Sequence, residues 1–203
     1  ERYNVSGRNT ASFLNDKLVL DFGANLIFQN DRNMTAQGRY FNPLTALYLF
    51  PRGENFDAIR MYERYNEGLG IYEQYWPYET QSMELQNPYW TMNRIVRENK
   101  KKRFMTNASL KWNIIDGIDI TGRLKYDKTD MRSTDKRYAS TIEQFASDYG
   151  GYYDNRKEYS SFYGDIMLNI AKSFNENMWS VNANIGASIN DQREEQIGHG
   201  GNL

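Results

Sequence analysis

The chain has 203 residues, a net charge of −1, a pI near 6.0 and a mean hydropathy of −0.82. It has no Cys and a single His, His199, which excludes disulfides and thiolate sites and leaves a zinc site or a Ser-His-Asp triad almost nothing to draw on. Acids and bases nearly cancel, so nothing draws the whole chain to nucleic acid, and no apolar run approaches the roughly 20 residues of a membrane helix.

The chain opens on Glu1-Arg2-Tyr3-Asn4, polar and alternating, unlike a signal peptide. Residues 2–13 place Tyr3, Val5, Ala11 and Phe13 opposite Arg2, Asn4, Arg8 and Ser12. A turn is expected at Leu14-Asn15-Asp16-Lys17. In 18–28, Leu18, Leu20, Phe22, Leu26 and Phe28 share a face against Asp21 and Asn25. This period of two predicts strands.

A long segment follows, about 30–100. Within it Phe56, Ile59, Tyr62 and Tyr65 recur every third residue, predicting a short amphipathic helix from near Asn55. Next come Ile71-Tyr72-Glu73-Gln74-Tyr75-Trp76-Pro77-Tyr78 and Gln86-Asn87-Pro88-Tyr89-Trp90. These apolar and aromatic residues are enough to fold the segment into a cap, where a structureless loop of this length would be unusual.

Alternation returns in 104–114, with Phe104, Ala108, Leu110, Trp112 and Ile114 on one face. Asp116-Gly117 marks a hairpin. In 118–127, Ile118, Ile120, Leu124 and Tyr126 alternate with Asp119, Thr121, Arg123, Lys125 and Asp127. A second long segment, about 129–158, holds Ser140-Thr141-Ile142-Glu143, the spacing of a capping box, with Phe145, Tyr149 and Gly150-Gly151 after it. Residues 162–174 carry Phe162, Ile166, Leu168, Ile170 and Phe174 on one face. After Asn175-Glu176-Asn177, residues 179–190 carry Trp179, Val181, Ala183, Ile185 and Ile189.

The pattern therefore predicts an all-β chain with six antiparallel strands of about 9–13 residues. Soluble strands average nearer 5–6, whereas a tilted membrane strand needs about 9–11. Aromatics make up 15% of the chain and gather near strand ends, at Phe13, Phe28, Trp112, Tyr126, Phe174 and Trp179. Short turns alternate with two long loops. Together these are the layout of an outer-membrane β-barrel, with polar side chains lining a wet lumen. Asp21, Asp119, Arg123, Lys125, Asp127 and Asp165 are the candidate lumen-facing charges. The competing reading is a soluble β-sandwich with a half-buried aromatic core. Six strands do not close around a wet lumen, and an open sheet in lipid would expose raw edges. The barrel reading thus expects this chain to be one part of a larger barrel, with the remaining strands elsewhere in the same protein.

Four stretches resemble the SusC/RagA family: Asn42-Pro43-Leu44-Thr45-Ala46-Leu47-Tyr48-Leu49-Phe50-Pro51-Arg52-Gly53, Gln86-Asn87-Pro88-Tyr89-Trp90-Thr91-Met92-Asn93-Arg94, Arg8-Asn9-Thr10-Ala11-Ser12-Phe13-Leu14 and Ala183-Asn184-Ile185-Gly186-Ala187-Ser188. The two loop motifs are the specific ones. The resemblance implies a multi-pass TonB-dependent transporter of the bacterial outer membrane, with a 22-stranded barrel and an N-terminal plug. It implies import of oligosaccharides or peptides, a SusD-like surface lipoprotein as lid, contact with the TonB complex through the plug, and outer-membrane lipids around the wall. No plug, TonB-contacting segment or leader is expected within these 203 residues.

Tyr75, Trp76, Tyr78, Tyr89 and Trp90 are candidates for stacking on a ligand or meeting the lid, because aromatic faces offer flat apolar area with a polar handle. Their alternative is packing of the loop's own small core. The run Lys100-Lys101-Lys102-Arg103, with Arg94 and Arg97 upstream, reads either as a rim for lipopolysaccharide phosphates or as a solvated strand end. The carboxylate pairs Glu54 with Asp57 and Glu194 with Glu195 fit no defined catalytic pair. Glu194-Glu195 reads as an exposed loop, and His199 as a tail residue. No enzyme activity, cofactor, metal or nucleic-acid partner is expected. The alternative function is a soluble or surface-attached glycan-binding β-domain without transport.

Overall fold

The computed structural model describes residues 1–34, 38–78, 85–142, 144, 146–174 and 178–203. Its main element is a six-stranded antiparallel sheet in the order β1 (Arg2–Phe13), β2 (Leu18–Arg32), β5 (Ile95–Ile115), β6 (Ile118–Arg137), β7 (Gly151–Phe174), β8 (Trp179–Asn202). The smaller β3 (Glu63–Asn66) and β4 (Ile71–Gln74) form a separate two-stranded sheet. The six-stranded sheet is open, beginning at β1 and ending at β8. All six expected long strands are present. Contacts divide the chain into a sheet unit (residues 1–29, 101–131 and 157–196) and a loop unit (residues 30–100, 132–156 and 197–203).

In the sheet unit the apolar positions fall on one face, as the pairing of β1 with β2 requires. Tyr3 lies opposite Phe28, Val5 opposite Leu26, Ala11 opposite Leu20 and Phe13 opposite Leu18. Directly opposed residues share a face. Within this chain that face is largely uncovered. Val5, Phe22, Leu26, Leu110, Trp112, Leu124, Ile166, Val181, Ile185 and Ile189 are all exposed. A contiguous apolar surface on this scale marks a surface meant to be covered.

The turns are the expected ones. Leu14, Asn15 and Asp16 take left-handed φ values of 55°, 55° and 63°, which Asn and Asp tolerate better than other residues with a Cβ. Gly117 has φ +76°, and a Cβ there would stand 2.3 Å from the Ala171 carbonyl oxygen. The turn at Asn175-Glu176-Asn177 lies outside the described residues.

Four strands run further than expected, to 20–24 residues each. β5, β6 and β7 extend into the two predicted loop segments and shorten them, and β8 runs on to Asn202. The extensions carry charge where the apolar face would continue, as at Lys128, Asp130 and Arg132, so the apolar alternation fades while the ladder continues. Glu194, Glu195 and His199 consequently sit in β8, which corrects their reading as loop and tail residues.

The loop unit is built on Asn-Pro starts. Asn42 caps α1 (Pro43–Tyr48), its side chain accepting the Leu44 amide at 3.0 Å. Asn87 caps α2 (Pro88–Arg94) in the same way through the Tyr89 amide at 2.9 Å. Proline at the first helical position is preorganised for the helix and loses no useful donor. Asn55 also caps, but only a 3-10 turn, Phe56–Arg60. The helix expected through Tyr62 and Tyr65 does not form. The chain enters β3 instead, because Asn66 accepts the Gly68 and Leu69 amides and Gly70 takes φ +68°, reversing it into β4. Of the capping-box residues, the Ser140 hydroxyl accepts the Gln74 amide at 3.0 Å. Glu143 and Phe145 lie outside the described residues.

Candidate functional site

The polar face of the sheet unit is laced by cross-strand charge pairs. Asp21 accepts from Thr10 Oγ1 at 2.7 Å and Arg8 Nε at 3.0 Å. Asp119 accepts from Asn169 Nδ2 at 2.7 Å and lies 3.7 Å from Lys111 Nζ. Arg103 forks onto Asp127. Arg123 Nε bonds both Asp165 oxygens at 3.0 and 3.1 Å. Lys125 Nζ stands 5.8 Å from the centre of the Tyr163 ring. Five of the six candidate lumen charges thus hold a charged partner on the adjacent strand, and Lys125 holds an aromatic one. Each exposed pair adds little stability alone, but opposed charges fix strand register.

In the loop unit the candidate aromatics separate into core and surface. Trp90 is 0% exposed and its Nε1 donates to Thr141 Oγ1 at 3.2 Å. It has no face to offer a ligand or lid, which corrects its candidacy. The reason is α2, whose roughly two turns set Trp90 inward, in a unit where Ile59, Ala46 and Ile95 are buried as well. Tyr89 is half-buried and stacks on Tyr62 at 6.4 Å with 20° between planes. Tyr75 is covered by the Arg64 guanidinium, 3.4 Å from its ring centre. Trp76 meets Tyr78 edge-on at 5.2 Å, and Tyr78 meets Phe50 at 4.9 Å. Phe50 in turn meets exposed Phe56 at 5.6 Å. The structure therefore gathers Trp76, Tyr78, Phe50 and Phe56 into one aromatic cluster and sets Tyr75 and Tyr89 apart from it. The Trp76 Nε1 is buried without a hydrogen-bond partner among the described residues.

The residue that organises this unit is Asn87, which sequence patterning listed only as part of a motif. It is fully buried. Its Oδ1 caps α2, its Nδ2 donates to the Ile59 and Tyr75 carbonyls at 2.9 and 3.1 Å, and its amide donates to Gln74 Oε1 at 2.8 Å. Gln74 also ties down Ser140 through both backbone and side chain. The Asn-Pro dipeptide was the available signal. A cleft of about 550 Å³ beside the β3–β4 hairpin is lined by Ile71, Glu73, Gln74, Ser140, Ile142 and Tyr149 among others. None of the predicted aromatics lines it.

Charged groups in the loop unit serve structure. Arg94 grips Glu63 through Nε and Nη2 at 2.6 and 2.9 Å, and this bond raises the Arg94 pKa further above its usual range. Arg97 and Arg137 both reach Asp135 and both lie on the Phe41 ring. Arg132 holds the buried Asp154 and lowers its pKa. His199 Nε2 is 3.8 Å from Asp154 Oδ2. Of the carboxylate pairs considered for catalysis, Asp57 pairs with Arg60, Glu194 with Lys157, and Glu195 with Arg193. Among the described residues no group of three His, Asp or Glu side chains could hold a metal ion. No helix is long and apolar enough to cross a membrane, which does not bear on strands.

No protein-family model matches the chain, and no curated protein matches it. Solved structures do. The RagAB peptide transporter matches with a TM-score of 0.63 at 14% identity, over 98% of this chain and 21% of that one. The RagAB peptide importer in its open-open state matches with a TM-score of 0.63 at 15% identity, over the same shares. This chain thus spans about one fifth of the length of the transporters it matches. At this identity the likeness is one of fold: an all-β, antiparallel, SusC/RagA-like arrangement.

Proposed function

We propose that this chain supplies barrel wall and outer loops to a SusC-like, TonB-dependent transporter of the outer membrane, which imports oligosaccharides or peptides with a SusD-like lipoprotein. The observation that carries the reading is the uncovered apolar face of the sheet unit, backed by a polar face whose charges are paired across strands. Lipid would cover the first, and a wet lumen would suit the second. The open edges at β1 and β8 are not viable in a bilayer unless further strands pair with them. The fold shared with part of the RagAB transporter supports the same assignment. In this reading the plug and the remaining strands lie elsewhere in the same protein, and Asp21, Asp119, Arg123, Lys125, Asp127 and Asp165 face the lumen. The Trp76–Tyr78–Phe50–Phe56 cluster is the surface we assign to ligand or lid, with Tyr75 and Tyr89 outside it.

The test is the size and location of the native polypeptide. An antibody to the 62–75 hairpin is used on fractionated outer membrane, with and without boiling. A heat-modifiable band near 110 kDa is expected, because this 23.9 kDa chain spans about a fifth of the matched transporter, and barrels of this class resist unfolding until boiled. A soluble band near 24 kDa would overturn the proposal and favour a glycan-binding β-domain.

A further inference from the structure

The polar face of the sheet unit pairs short acids with long bases. On the strands of that unit its acids are Asp21, Asp119, Asp127, Asp165 and Glu194, all but one of them Asp. Its bases are Arg8, Arg103, Lys111, Arg123, Lys125 and Lys157, to which strand alternation adds Arg2 and Lys101. An Asp carboxylate sits close to the backbone, whereas Lys and Arg stems carry their charge well beyond it. In a cross-strand pair the base therefore lies over the acid. The Arg8 side chain is 76% exposed against 17% for Asp21, and Arg123 is 45% exposed against 5% for Asp165. Lys111 and Arg103 are likewise more exposed than Asp119 and Asp127. Glu194, the one long acid, reverses the order: it is 51% exposed against 35% for Lys157. The rule is one of length, and the predominance of Asp makes the outer layer of this face basic.

Two further features leave that layer able to bind. Arg8 and Arg123 engage their carboxylates through Nε alone, so their Nη groups hold no hydrogen bond among the described residues. Lys125 is exposed, meets the Tyr163 ring and forms no ion pair among the described residues. Guanidinium and ammonium groups donate strong charge-assisted hydrogen bonds to carboxylates, and a wall of one sign concentrates counter-ions. We propose that this face binds carboxylate-bearing solutes, so that the wall favours acidic cargo over neutral cargo of equal size. The proposal takes the face as lumen wall and so rests on the barrel reading above. Acidic peptides and acidic sugars share the chemistry, and paired probes separate them.

The test uses the full-length transporter that carries this chain, purified in detergent and titrated calorimetrically at about 20 mM salt, where screening is weak. The probes are hexaglutamate, hexagalacturonate and a neutral Gly/Ser hexapeptide. An extended hexapeptide reaches about 20 Å, the span of the strand steps from Asp119, beside Lys111, to Lys125. K111Q/K125Q removes two exposed charges and leaves Asp119 its Asn169 bond. A unit charge at contact in water is worth about fivefold, and the longer mean separation of mobile side chains brings the double variant to about tenfold weaker binding of an acidic hexamer. K102Q, on the opposite face, should bind like the wild type, and the neutral peptide should not distinguish the variants. A loss confined to hexaglutamate supports the site and assigns acidic peptides; one confined to hexagalacturonate supports it and assigns acidic sugars. Wild type that binds neither acidic hexamer, or K111Q/K125Q that binds both as the wild type does, would overturn the proposal. Heat-modifiability of each sample is recorded alongside. Where K111Q/K125Q lacks it, R8Q takes its place, because Asp21 keeps its Thr10 bond; about threefold weaker binding is expected, and unchanged binding overturns the proposal. A wild type that is not heat-modifiable refutes the barrel reading and the proposal with it, whereas a heat-modifiable wild type matched by its variants refutes the proposal alone.

Discussion

The apolar face of the sheet can be tested with one buried-charge substitution. Ile166 stands near the middle of the Phe162–Phe174 stretch of β7, an interior strand, and is 55% exposed. If lipid covers that face, Ile166→Arg places a guanidinium near mid-bilayer, at a cost of about 2–4 kcal/mol. The isoleucine surface no longer given to lipid adds about 1 kcal/mol, half of the 1.5–3 kcal/mol for burying such a side chain completely. The expected loss is thus roughly 3–5 kcal/mol, about two to four orders of magnitude in the folded-to-unfolded ratio. Asn184→Arg, on the polar face of β8, is the matched control and should stay within about 0.5 kcal/mol. Urea titration of the full-length protein in phospholipid vesicles, read by the heat-modifiable band, measures both. A loss under about 0.5 kcal/mol for Ile166→Arg would mean that this face meets water, and the barrel reading would fail.

Asn87→Ala removes one helix cap and the donor to two buried carbonyls, so the loop unit should lose about 3–5 kcal/mol locally; hydrogen exchange at the Thr91 and Ile95 amides should accelerate while 104–114 stays protected, and unchanged exchange would remove Asn87 as organiser. Gly117→Ala forces a Cβ into the Ala171 carbonyl at left-handed φ, costing at least about 1–2 kcal/mol; the assembled fraction should fall, and wild-type assembly would contradict the turn geometry. Trp76→Ala with Tyr78→Ala should cut uptake or lid capture in a heat-modifiable protein, and normal uptake with normal lid capture would move the contact surface elsewhere. Asp154 has a lowered pKa, chiefly through the Arg132 hydrogen bond, so its contribution is present above the ordinary carboxylate value of about 3.9 and is lost as pH falls through the lowered one. Asp154→Asn should therefore flatten the stability decline below about pH 4 in a pH series of urea midpoints, and an undiminished decline would assign it to other carboxylates.

The strands could be read from the chain because one physical demand, an apolar face, writes itself every second residue. Leu18 to Phe28 and Phe162 to Phe174 are clear for that reason. The same rule hides strand where both faces are polar. Residues 128–137 keep their ladder bonds without an apolar repeat, so the end of β6 looked like loop. Helix periodicity misled at Phe56-Ile59-Tyr62-Tyr65. Its first half is a real 3-10 turn with buried Ile59, but Asn66 and Gly70 then dictate a reversal, and local turn chemistry outweighs a three-residue spacing. Charge pairing across strands, such as Arg123 with Asp165, depends on register, which no single strand reveals.

The candidate site shows where motif and role diverge. Asn42-Pro43 and Asn87-Pro88 are among the most distinctive dipeptides of the chain, and both are helix starts. Gln86, Asn87, Pro88 and Trp90, the heart of the more specific loop motif, are buried in the loop unit. A motif used in this way carries information about how the loop unit folds. It carries none about what the loop touches, since its side chains are consumed by the Ile59, Tyr75, Gln74 and Thr141 contacts. On the transporter reading proposed above, selectivity resides in side chains that the fold leaves uncommitted, among them the aromatic edge at Phe56 and Tyr78. If the proposed reading holds, two proteins can share the Asn-Pro framework and differ in cargo, and they should then differ first at the Trp76–Tyr78 surface, with Asn87 unchanged between them.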